Sequence, residues 1–279
     1  MKKQIIKLFL LLFFIISLFH NQVYAEDSLT LLIHPYLSAS ELLNRFSPLV
    51  TYLSKESGQL IKIKISKSYG EHFKAVGEGK TDLAYLGPLS YVKVSKIYGK
   101  QTLLAGLKVN GKSSFHSIII IPENSKIKTI EELAGKRFAF GDSHSTMSYL
   151  VPCYMLYQKG INVEHLKKFE FLGSHNSVAL AVLGGYYDAG GVKEEVFYQY
   201  KDRGLKMLAK SGPIAEHLFV ANSNLPEDFV NMLRELMINL KDKYILSSIK
   251  KTVTGMGLVN DKDYDPLRII LKKLDERRG

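Results

Sequence analysis

The sequence of 279 residues contains a single cysteine, Cys153. One thiol cannot form an internal disulfide, so any fold this chain adopts must stand without covalent staples. Val151, Pro152, Tyr154 and Met155 surround that cysteine, an apolar setting that suits packing better than thiol chemistry. A Gly-x-Ser-x-Gly nucleophile elbow, a His-Glu-x-x-His pair and any clustered Cys/His set are also missing, so neither an enzyme nor a metal or cofactor site is expected. The basic surplus is scattered (Lys62, Lys64, Lys67; Lys167, Lys168; Lys250, Lys251). Nucleic-acid binding would ask for dense basic runs interleaved with aromatics, and that class is excluded. After the first 25 residues no apolar run reaches membrane-spanning length, and there is no internal repeat or low-complexity linker.

What the chain does have begins at its N-terminus. Lys2, Lys3 and Lys7 precede an apolar block from Leu8 to Leu18. Val23-Tyr24-Ala25 then offers small residues where a signal peptidase cuts, ahead of Glu26-Asp27. Residues 1–25 are therefore expected to be a signal peptide that sends the protein to the periplasm or beyond; an uncleaved anchor is the alternative. No cysteine lies near the cleavage point, so a lipoprotein anchor has no support. Removing those residues takes three lysines and no acid, lowering the net charge from +11 to +8. The remaining chain is long enough for one large domain or two linked lobes.

Along the mature chain, strand and helix patterns alternate. Strands are expected at Leu29 to Ile33, at Leu60 to Ile65, where isoleucine alternates with lysine, and at Leu83 to Leu86. Further strands follow at Ser117 to Ile121, Phe138 to Phe140, Lys168 to Leu172, Tyr187 to Val192, Leu205 to Lys210 and Leu218 to Ala221. Helical patterns fill most of the gaps, and a largely helical tail follows Pro226, at Asp228 to Ile245, Ser247 to Val253 and Pro266 to Asp275. Such alternation predicts an α/β protein with parallel sheets.

The most informative stretch is Phe138-Ala139-Phe140-Gly141-Asp142-Ser143-His144-Ser145-Thr146. A buried strand passes through a glycine turn into hydroxyl residues and then an apolar helical run. That arrangement aims unpaired N–H groups, hydroxyls and the positive end of a helix dipole at one place, which favours an anion. The plainer reading is that Ser143 or Ser145 simply caps the helix.

Other segments place the chain in a family. Gly79-Lys80-Thr81-Asp82-Leu83-Ala84-Tyr85-Leu86-Gly87-Pro88-Leu89-Ser90-Tyr91, the Phe140 to Thr146 stretch, Gly173-Ser174-His175 and Tyr187-Asp188-Ala189-Gly190 occur in that order, with Asp263-Tyr264-Asp265-Pro266-Leu267-Arg268 near the end. Together they resemble the phosphonate-type (phosphate, phosphite, phosphonate) periplasmic substrate-binding proteins of ABC transporters. The resemblance covers nearly all of the mature chain. It implies a type II periplasmic-binding-protein fold, with two α/β lobes joined by two crossover strands around a ligand cleft. The lobes would be 27–116 plus 219–279, and 117–218. It also implies a monomer that captures a small tetrahedral oxyanion for a membrane ABC permease. A ligand-sensing module for a membrane receptor is the alternative, and an enzyme the third class.

The resemblance implies the site as well. Ser145 and Thr146 match positions whose hydroxyls and N–H groups grip phosphonate oxygens. Met147 and Ser148 stand where Ser and Gly are common, which leaves one expected hydroxyl missing. His175 matches a phosphonate-binding histidine. Tyr69 matches a ligand-contacting tyrosine of the other lobe, Ser90 offers a donor there, and Tyr91 either contributes or packs. Phe115 stands where a tyrosine is frequent, with His116 beside it as a substitute. For a ligand amine the family uses two acids. Glu195 matches the first, with Glu194 as its competitor; the second falls at His217, unless the register brings Glu216 inside.

Overall fold

The computed structural model describes residues 28–276, and the signal-peptide assignment lies outside them. Three segments, β1 (Leu29–Ile33), β2 (Ile61–Ile65) and β3 (Leu83–Leu86), form the parallel part of a first sheet, with β1 between the other two. The helices between them obey local rules. Helix α1 (Ala39–Ser57) starts where Ser38 Oγ accepts the Glu41 N–H at 3.3 Å, and it stops at Gly58, whose φ of 69° favours a residue without a Cβ. Helix α2 (Tyr69–Gly77) is capped in the same way by Ser68. Helix α3 (Pro88–Tyr98) begins on a proline, whose missing N–H costs nothing there. Buried Phe46, Leu49 and Leu53 of α1 pack in one cluster with Leu31, Ile33 and Tyr85 of the sheet.

The chain then adds β4 (Thr102–Val109), passes through the short β5 (Ser114–Phe115) and enters a second sheet at β6 (Ser117–Pro122). That sheet continues with β7 (Arg137–Phe140), β8 (Lys168–Phe171), β9 (Ala189–Lys193) and β10 (Leu205–Lys210), in the order β10-β6-β9-β7-β8. A five-residue π turn, Thr146–Leu150, runs straight into α4 (Val151–Tyr157) after β7, and α5 (His175–Leu183) follows β8. Helix α6 (Glu194–Tyr200) follows β9. Val178, Ala179 and Val182 of α5 pack against Ile118, Ile120 and Val192 of this sheet.

The return passes through β11 (Ile214–Ala215), which pairs antiparallel with β5, and reaches the first sheet as β12 (Leu218–Ala221). Beyond it come α7 (Glu227–Ile238), α8 (Lys243–Ile249), β13 (Val253–Gly257) and α9 (Asp265–Asp275). The first sheet is therefore ordered β13-β4-β12-β3-β1-β2. Two α/β bodies are joined at β5 and β11, the two-lobed architecture of periplasmic binding proteins. Leu86 and Leu89 share an apolar cluster with Phe140, Met147 and Leu150, so the two bodies meet along a packed seam.

Several expectations need correction. The sheets are mixed, because β12 pairs antiparallel with both β3 and β4, and β6 antiparallel with both β9 and β10. Strands that cross between bodies arrive running the opposite way. The helix expected over Asp228 to Ile245 is two helices, because Asp242 Oδ1 accepts the N–H groups of Tyr244 and Ile245 and starts a new one. The helix expected through Val253 ends at Ile249, and Val253 instead opens β13, paired with the unanticipated β4.

Glycine in the middle of β9 has a packing reason. A Cβ at Gly190 would lie 2.5 Å from Val178 Cγ1 and 3.1 Å from the Ala139 carbonyl oxygen. Gly190→Ala should therefore destabilise the protein by about 1–3 kcal/mol through overpacking. Urea denaturation measures this, and an unchanged midpoint would contradict the packing described.

Candidate anion-binding site

In open α/β sheets, guests settle outside the carboxyl ends of the strands, where the chain leaves for different neighbours. Four strand ends do this here. His34 follows β1, Gly87 follows β3, Gly141 follows β7 and leads to Ser145, and Lys193 ends β9. They converge with Tyr69, at the first turn of α2, on one cavity of about 20 Å³ between the two bodies.

Five of the six residues expected at a site line this cavity: Tyr69, Ser90, Ser145, Thr146 and His175. All five are at least nine-tenths buried. The sixth, Glu195, lies outside it, paired with Lys193 at 2.8 Å. Its competitor Glu194 faces farther out and pairs with Lys210 at 3.3 Å. Met147, Phe115 and His217 also line the cavity, whereas Ser148 turns its hydroxyl to the Gly191 carbonyl and His116 bonds to the Ser211 carbonyl at 2.8 Å. Tyr91 packs on Tyr264 and donates to Asp261. Glu216 is buried behind His217, accepting the His217 N–H and the ring Nδ1–H at 3.0 Å each.

Four lining residues were not anticipated: His34, Tyr36, His144 and Lys193. For His34 and Lys193 the available signal was position, since each stands at the carboxyl end of a strand. Tyr36 and His144 sit in loops and carry no comparable mark.

The donors are prepared by local chemistry. Ser145 Oγ accepts the Ser148 N–H at 3.1 Å, which caps the π turn. The N–H groups of Thr146 and Met147 stand in that first turn, where no helical acceptor exists. Thr146 Oγ1 accepts the Leu89 N–H from the opposite body at 2.9 Å, so its own proton remains for a guest. Ser174 caps α5 through Ser177, leaving His175 at a second helix start. His175 Nδ1 accepts the Lys193 backbone N–H at 3.1 Å, which places the ring proton on Nε2. That Nε2 lies 3.5 Å from Ser145 Oγ.

Three buried imidazoles, His34, His72 and His175, are held neutral. Burial first, then nearby Lys193 and His217, bring His175 down to about 3. Burial lowers His72 to about 4 against the pull of the Leu32 carbonyl. His34 is pushed well below its ordinary value by burial and then by the neighbouring histidines, while it donates Nδ1–H to the Tyr85 carbonyl at 3.1 Å. The site thus offers hydroxyls, neutral N–H donors and one ammonium, and no carboxylate lines it. Among the described residues no cluster of metal-ligating side chains is present either.

Neutral burial has a consequence for stability. The unfolded chain binds protons at these histidines below about pH 6.5 and the folded chain does not, so stability is complete above that pH and falls as pH drops. Between pH 7 and 5, His72 and His175 should each cost about 2 kcal/mol, with His34 acting in the same direction. Denaturant titration at the two pH values measures this, and equal midpoints would contradict the neutral assignment.

Comparison with known proteins places this geometry. A family model for the periplasmic substrate-binding protein of the phosphonate ABC transporter matches residues 31–264. The phosphate-import protein PhnD of Mycolicibacterium smegmatis is 26% identical over 270 residues, covering 87% of this chain and 84% of that one. The probable ABC transporter phosphite binding protein PhnD1 of Prochlorococcus marinus is 27% identical over 180 residues, 58% of this chain and 60% of its own. The solved structure of Prochlorococcus PhnD1 in complex with methylphosphonate superposes with a TM-score of 0.82 at 23% identity, spanning 90% of this chain and 99% of that one. Fold and family match agree, and the chain belongs to the phosphonate family of ABC transporter periplasmic substrate-binding proteins.

Proposed function

We propose that this protein captures a small tetrahedral oxyanion, such as phosphite, phosphate or methylphosphonate, outside the cytoplasm and delivers it to a membrane ABC permease. The observation that carries this reading is the buried cavity lined by donors and one ammonium without any carboxylate. Two helix starts, at Thr146 and His175, aim N–H groups and dipoles into it. Relatives whose names record phosphate import and phosphite binding support the same chemistry. Ser145, Thr146 and the His175 Nε2–H grip the oxygens from one side, with Tyr69 and Ser90 facing them from the other body.

Residues 27–116 plus 219–279 form one lobe in this reading, and residues 117–218 the other. The Leu89 to Thr146 hydrogen bond joins the lobes directly at the site, so guest capture and lobe closure are coupled. The N-terminal 25 residues serve as the export signal. Among the described residues no helix is long and apolar enough to cross a membrane.

Binding, not turnover, is the role that the Ser145–His175 pair suits. A general base needs a free lone pair toward the hydroxyl, and His175 presents a proton there because its Nδ1 already accepts from Lys193. The pair donates twice instead of forming a nucleophile and base.

Ser145→Ala should weaken methylphosphonate or phosphite binding by about 1–3 kcal/mol, because a buried oxyanion oxygen loses a donor. Titration calorimetry reads this, and unchanged affinity would show the cradle to be misplaced. Small-angle scattering should show compaction when ligand saturates the protein. An identical scattering curve with and without ligand would count against closure.

A further inference from the structure

We infer that Lys193 is the specificity-determining residue of this site: its side chain occupies a seat built for a cation and closes the path by which a substituted guest would extend. The inference rests on the oxyanion reading above. Three cavities lie in series. The chamber at Ser145 shares Tyr36, Phe115, Lys193 and His217 with a second compartment of about 20 Å³. That compartment shares Arg45, Glu195 and Lys250 with an outer cleft of about 780 Å³. Lys193 is the charged residue common to the first two, and it is only 8% exposed.

The seat has the features that recognise an ammonium. Lys193 Nζ stands 4.7 Å from the centroid of the Tyr36 ring and 2.8 Å from Glu195 Oε2. An aromatic face and a carboxylate are the usual partners of a buried cation. Glu216 lines the same compartment as a second acid. Arg45 at 3.5 Å and Lys250 at 3.8 Å complete the coordination of Glu195, and Lys250 also lies 3.8 Å from Glu216. The chain therefore sets its own cations against its own acids, Lys193 on Glu195 most closely, while Glu216 Oε1 accepts no hydrogen bond. A guest ending in an ammonium would have to expel Lys193 or share its seat, and both leave a buried charge unpaired. A guest limited to a tetrahedral head and at most a small apolar cap meets no such conflict. Selection against the larger ligand is built in as an occupied position, in addition to any attraction for the smaller one.

The test compares methylphosphonate with 2-aminoethylphosphonate by titration calorimetry on the wild-type protein and on Lys193→Ala. Wild type should bind methylphosphonate tighter by about tenfold or more. Lys193→Ala should tighten 2-aminoethylphosphonate by about tenfold or more with no matching gain for methylphosphonate, because removal of the side chain takes away the nearest cation from Glu195, at 2.8 Å, and joins the chamber to the outer compartments. Equal wild-type affinities would overturn the inference even if the variant failed to fold, as would a variant that gains for neither ligand or for both alike. Lys193→Ser repeats the experiment should the alanine variant prove unstable. Wild type that binds neither methylphosphonate, phosphite nor phosphate would overturn the oxyanion reading itself. Tight methylphosphonate binding without discrimination would overturn the role of Lys193 alone.

Discussion

Two short strands, β5 and β11, carry the chain between its two sheets, and their antiparallel pairing is the constraint on which the site depends. Ile214 sits opposite Phe115, and Ala215 opposite Ser114. Phe115 and His217 therefore arrive at the cavity from both crossings at once, with ring centroids 5.2 Å apart. The ribbon is only two residues deep on each side, yet it fixes where the bodies join. The strand ends on either side then point at a common seam, and the donors gather there by topology.

The second theme is a division of labour between neutral and charged groups. The chamber holds hydroxyls, imidazoles and the Lys193 ammonium, and burial keeps His34 and His175 uncharged. The carboxylates sit one step outward, where burial works against ionisation of Glu195 yet Lys193, Lys250 and Arg45 together hold its carboxyl at about 2. Neutral dipoles suit an oxyanion that must also leave, since they stabilise the charge without a permanent ion pair to break. Lys193 joins the two regions: its backbone sets the tautomer of His175, and its ammonium faces Glu195.

Much of this was legible in the sequence wherever a local rule governs. The helix start after Gly141 is legible because a glycine turn followed by hydroxyls and an apolar run specifies one, and Ser145 caps it, whereas Thr146 and His175 are singled out by the family resemblance. The run from Ser117 to Ile121 reads as a strand because nothing in it favours another state, and β6 extends it by Pro122. Strands β4 and β13 escaped, since Gly106 and Lys108 interrupt one and two glycines interrupt the other; the pairing of β4 with β13 on one side and β12 on the other supplies the order that local propensity lacks. Glu195 matches the family's first acid, but position along a chain does not reveal that Lys193 lies between it and the chamber. His34 carries no local motif, and only the sheet topology shows that the end of β1 reaches the cavity.

The central claim is that the starts of α4's leading turn and of α5 hold one anion between the two bodies. A crystal structure grown with methylphosphonate or phosphite tests it most directly. The account predicts the phosphorus inside the small chamber, with its oxygens at hydrogen-bond distance from Ser145 Oγ, Thr146 Oγ1 and His175 Nε2. A guest seated in the outer cleft instead, or a chamber left without it at saturating concentration, would contradict the account.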